Sequence, residues 1–169
     1  MLSSVLEMLL LAASVQSEPI QLQVPSEVAV SPIEMTAIRK SENYDNIISI
    51  CNKMGEEAQF GVDNYFKRFS DKFVKASISL TQTLNYAIYI SKFAKEAKSG
   101  KKVYANLNEI DAYCYDLEED CDEGLKELKS KGSIYLNKSV VQSWSDLLTR
   151  FKRYCSDIRS QVKEIRNSM

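Results

Sequence analysis

The chain contains no histidine. That removes both the commonest general base near neutral pH and the commonest metal-binding side chain. Proline is scarce: Pro19, Pro25 and Pro32 are the only three, and none follows. Glycine is nearly as rare, with five residues, so a phosphate-cradling glycine-rich loop is missing. No charge of one sign dominates, since 22 basic residues face 23 acidic ones. Such a balance supplies no global field for nucleic acid or for an acidic membrane. A serine or cysteine nucleophile would lack its histidine base. Carboxylates are plentiful, but nothing marks one as buried, as a general acid requires. No ligand cluster for a metal stands out. These absences argue for a protein that is not an enzyme and carries no cofactor.

What remains is apolar residues at helical spacing. At 169 residues, 44% of them hydrophobic, the chain is long enough to bury a core. Leu2 to Val15 is apolar apart from Ser3, Ser4, Glu7 and Ser14, and Val15-Gln16-Ser17 suits signal-peptidase cleavage. The run is shorter than the roughly 20 residues that a spanning helix needs. No later segment qualifies for stable membrane insertion. The expected organisation is a signal peptide over residues 1–17, a flexible lead-in over 18–40 and a helical domain over 41–169. A secreted, extracellular location follows from the leader.

In the helical domain, Tyr44, Ile47, Cys51, Met54 and Ala58 recur at intervals of three and four. The same seam continues through Val62, Phe66, Phe69, Phe73, Ala76, Leu80, Leu84 and Ala87. Ser41 or Asn43 is the expected cap. One helix from 41 to 98 would be about 87 Å long, with nothing to cover it, so a break is expected near Gly61. Ser99-Gly100-Lys101 predicts a tight turn, and Lys131-Gly132-Ser133 another. Between them Val103, Leu107, Ile110, Cys114, Leu117, Cys121 and Leu128 form one stripe. The last segment has the cleanest seam: Val141, Trp144, Leu148, Phe151, Cys155, Ile158, Val162 and Ile165. Short connections between long helices predict an all-α, up-and-down antiparallel bundle of about four helices.

The cysteines, Cys51, Cys114, Cys121 and Cys155, are even in number, which in an oxidising compartment reads as two disulfides. Cys114 and Cys121 stand two turns apart on one helix, about 10 Å, too far to bond each other. If Gly61 and Gly132 mark one end of the bundle, Cys51 lies ten residues before one and Cys121 eleven before the other. Cys114 and Cys155 are then five residues out of level. The predicted bridges are Cys51–Cys121 and Cys114–Cys155, stapling the bundle.

Asn137-Lys138-Ser139 is the single N-x-S/T sequon and a candidate glycosylation site. The run Asp116, Glu118, Glu119, Asp120, Asp122 and Glu123 reads as a solvated helix face. Six basic and two acidic residues between Leu147 and Met169 complement it across antiparallel neighbours. Tyr65, Phe69, Tyr86 and Tyr89 are candidate contact or pocket aromatics, since tyrosine serves well at recognition surfaces.

The Tyr113-Cys114-Tyr115 stretch with Cys121 following, and Tyr154-Cys155, resemble the cysteine–tyrosine–cysteine units of the aphid bicycle-type salivary effectors. One such unit, Cys114-Tyr115 through Cys121, is complete here. The four-cysteine secreted framework is also similar to insect proteins of the TsetseEP type. The resemblance covers the framework and implies no functional residue. The expected function is a secreted, non-enzymatic, effector-like protein that binds an extracellular or host protein partner. The alternative is a carrier that holds a lipid or other apolar ligand between its helices.

Overall fold

The structure, a computed structural model, describes residues 31–169. The expected signal peptide and the expected lead-in up to Val30 lie outside the described residues.

Four long helices make the fold. The first, α1 (Pro32–Gly61), begins at a capping box. The Ser31 hydroxyl accepts from the Glu34 N–H at 3.2 Å, and the Glu34 carboxylate accepts from the Ser31 N–H at 2.8 Å. Pro32 occupies the first helical turn, where its missing N–H costs nothing. The helix therefore starts before the Ser41 expected from the periodicity, and takes in part of the supposed lead-in.

Gly61 is not the break. The chain continues through a π-turn, Val62–Phe66, and one α-turn, Lys67–Phe69, before reversing at Ser70–Phe73. The glycine is a packing residue: a Cβ there would sit 2.5 Å from Leu80 Cδ2 and 2.9 Å from Leu147 Cδ2. After the reversal, α2 spans Val74–Lys98. The turn at Ser99-Gly100-Lys101 forms where it was expected, with Gly100 at φ +82°. Helix α3 (Val103–Tyr135) then runs straight through Lys131-Gly132-Ser133. Gly132 is buried against Val141, whose Cγ2 would lie 2.8 Å from an added Cβ. The chain turns instead at Leu136-Asn137, where the Asn137 side chain accepts from the Val140 N–H at 2.9 Å and starts α4 (Lys138–Asn167).

Consecutive helices pack together, and α4 closes against α1, so α1 faces α3 across the diagonal. The interior is filled by Ile47, Met54, Leu80, Ile90, Leu107, Ile110, Leu117, Leu128, Trp144 and Phe151, all essentially inaccessible. The buried side of α2 is built of small residues, including Ala76, Ser79, Ala87 and Ala94. This brings α2 close enough to α3 for the Ser79 hydroxyl to donate to the Asp120 carbonyl at 2.6 Å. The α2 N-terminus lacks a cap of its own, because Phe73 stands at that position. Glu127 of α3 supplies one, its carboxylate accepting from the Ala76 N–H at 3.0 Å.

The charge matching of α3 and α4 is present as a ladder. Lys152 pairs with Asp122 at 2.6 Å, Arg159 with Glu118 at 3.2 Å, and Arg166 with Asp111. The three cations are seven residues apart, as antiparallel helices in heptad register require. No helix among the described residues is long and apolar enough to cross a membrane.

Candidate functional site

The predicted disulfides are not formed. Cys51, Cys114, Cys121 and Cys155 are all free, buried thiols. The Cys51–Cys121 pairing assumed turns at Gly61 and Gly132. With the turns at Ser70–Phe73 and Leu136-Asn137, the two cysteines are about five residues out of level. Cys51 also stands on α1, diagonal to α3. Adjacent helix axes are typically 8–10 Å apart and diagonal ones further, against a Cα limit of about 7 Å for a bridge. Cys114 and Cys155 do lie close together, on adjacent helices, as free buried thiols. Cys155 is the common neighbour of the other three.

Cys51, Cys114 and Cys121 are poor nucleophiles. Burial, with Cys155 nearby, pushes Cys51 up to about 12. Burial likewise raises Cys121, and the adjacent Cys155 thiol, followed by burial, raises Cys114. A thiol that holds its proton more tightly when folded contributes stability that is complete below the unfolded pKa of about 8.5. That contribution is lost as pH rises toward the folded value. The urea midpoint of the reduced protein is therefore expected to fall between pH 8 and pH 10, and Cys51→Ala to flatten the slope. An unchanged midpoint across that range would refute the assignment.

The candidate aromatics divide. Tyr65 is buried, stacked on Trp144 with ring centroids 5.0 Å apart. Phe69 packs against the core near the α1–α2 reversal. Tyr86 and Tyr89 instead belong to a surface cluster on the α2/α3 face that the periodicity did not single out. Its centre is Tyr113, 4.8 Å from Tyr86, 5.7 Å from Tyr89 and 5.9 Å from Phe93. Tyr89 is 46% exposed and the other three are partly buried.

Carboxylates of the acidic run border this cluster. Glu118 and Asp122 are engaged by α4, and Glu123 by Lys75. Asp116, Glu119 and Asp120 have no ion-pair partner among the described residues. Burial, then the like charges of Glu123, Asp116 and Glu119, raises the Asp120 carboxyl. Burial and the charges of Asp120 and Asp116 also raise the Tyr86 hydroxyl. Stacked rings beside uncompensated carboxylates can hold a cation by both ring face and charge.

Asn137 is exposed at the α3–α4 turn, its side-chain oxygen engaged by Val140 N–H and the Ser139 hydroxyl. No grouping of three or more histidine, cysteine or acidic side chains suited to a metal occurs among the described residues. No protein-family model, no curated protein and no solved structure matches the chain.

Proposed function

We propose that this chain is a secreted, non-enzymatic interaction protein whose contact face is the aromatic cluster on α2 and α3. The observation that carries the reading is the set Tyr86, Tyr89, Phe93 and Tyr113, left at the surface beside Asp116 and Asp120. Aromatic side chains anchor interfaces at low entropic cost, and the carboxylates favour a basic segment on an extracellular or host partner. The leader, the sequon and the likeness to secreted insect proteins support secretion. The Cys114–Cys155 contact supports one bridge if oxidation precedes closure of the bundle. The carrier reading has less support: the axis of the bundle is filled, and the clefts formed by described residues open to solvent.

The test is to express the full chain in a secreting eukaryotic cell and recover it from the medium. A mature chain beginning at Glu18 is expected. Wild-type protein should capture a basic partner from extracellular fluid, and Tyr89→Ala with Asp116→Asn should lose it. A partner retained equally by the double variant would defeat the proposed face. A tightly held apolar small molecule, seen by native mass spectrometry, would favour the carrier.

A further inference from the structure

We propose that a second surface, the groove between α1 and α2, is an isologous interface at which two copies of this chain associate. The groove is open to solvent and offers about 700 Å³ of space. Its floor is made of small or apolar groups, Gly55 of α1 with Leu84, Ala87 and Ser91 of α2. A Cβ at Gly55 would meet nothing within 4 Å, so the floor is open there. Ile88 forms the wall and is 63% exposed, an unusual position for a large aliphatic residue in the middle of a long helix.

Two observations select a second copy as the occupant. The first is the charge along the groove. Because α1 and α2 are antiparallel and joined at Ser70–Phe73, Glu56 lies nearer that turn, whereas Lys92 and Lys95 lie one to two turns further away. Glu96 shares their end, which keeps an excess of one positive charge. None of these four residues is in an ion pair within the described chain. A two-fold axis lying in the plane of contact, perpendicular to the length of the groove, sets the Glu56 end of one copy against the Lys92 and Lys95 end of the other. That is the self-complementarity an isologous contact requires. A strongly charged partner, or a fatty acid, would satisfy only one end.

The second observation is the outer surface of α2. From Ala76 to Ser91 the helix contains no charged residue. Val74 and Ile78 are also exposed. An uncharged centre with charges confined to its ends has the core-and-rim anatomy of a protein interface. The groove shares no lining residue with the aromatic cluster, although both are built on α2, so the inference does not rest on the reading of partner binding above.

Sedimentation velocity on the full chain tests it. Wild-type protein is expected to be dimeric at about 100 µM, well above the dissociation constant of a standard-sized interface. Ile88→Glu should weaken association at least tenfold with unchanged helical circular dichroism. Charge reversal gives the sharper result. A Lys92→Glu, Lys95→Glu protein and a Glu56→Lys protein should each be monomeric alone, yet form a mixed dimer when combined. A monomeric wild type, a dimer indifferent to Ile88→Glu, or a mixture that stays monomeric would overturn the proposal. A monomer with a fatty acid in the groove would overturn it in favour of a ligand site.

Discussion

Trp144→Ala is expected to destabilise the bundle by about 3–5 kcal/mol, the range for deleting a large buried aromatic. Trp144 has no accessible surface and lies between Tyr65, stacked at 5.0 Å, and Phe73, tilted at 5.6 Å. Those rings belong to the π-turn and to the α1–α2 reversal, so the cavity would open where the chain changes direction. The indole has a second property. Its Nε1–H is buried without an acceptor, and an orphaned donor costs about 1–3 kcal/mol. Trp144→Phe removes that donor while keeping most of the ring, and should cost much less than the alanine variant. Urea unfolding followed by circular dichroism is the measurement, because the change deletes the only tryptophan and with it the fluorescence probe. Equal losses in the two variants would show that the orphaned donor is not a factor.

Gly124→Ala is the second large effect, and its sign opposes helix propensity. Alanine in place of glycine inside a helix normally gains about 1 kcal/mol. Here the added Cβ would lie 2.9 Å from the Ala76 Cα, 2.7 Å from Ser79 Oγ and 2.9 Å from Leu148 Cδ1. Backbone cannot rotate aside as a side chain does, so α2 and α3 must separate. Overpacking of this kind costs about 1–3 kcal/mol, and the Ser79–Asp120 hydrogen bond would weaken as well. Gly55→Ala, where the new methyl meets nothing, should instead stabilise by up to about 1 kcal/mol. Denaturation midpoints that move the same way in both variants would refute the packing argument.

The same glycines explain what was and was not legible in the sequence. The seam of α4 was readable from Trp144 onward, because Trp144, Leu148, Phe151, Cys155, Ile158, Val162 and Ile165 are all buried, whereas Val141 is only partly so and the buried Leu147 lay off the stripe. The stripes of α1 and α3 were readable for the same reason, and the complementary charges of α3 and α4 foretold their ladder. The first reversal was hidden. Ser70-Asp71-Lys72 holds no glycine or proline, and Phe73 is buried within the turn itself. The spacing Phe69, Phe73, Ala76, Leu80 therefore passes through the reversal without a stumble. Gly61 and Gly132 drew the breaks instead, although both serve close packing. The Cys51–Cys121 pairing failed for another reason, because it joined α1 to α3, which are diagonal in the bundle. The capping box Ser31-Pro32-Ile33-Glu34 was a readable start signal that the periodicity argument passed over. The aromatic face and the α1/α2 groove depend on how helices are rotated against one another, which no single stripe specifies.

The buried contact between Cys114 and Cys155 has a consequence in time as well as in space. The two sulfurs meet only after α3 has docked on α4, and docking shuts them away from small oxidants. Thiol–disulfide exchange requires an accessible thiolate, which the closed bundle denies. A bridge at this position has to be made during the interval in which the helices are still finding each other. Once that interval has passed, the bundle preserves whichever redox state it closed with. The state of this pair is therefore set by the redox conditions under which the helices close, and changes afterwards only when the bundle opens again.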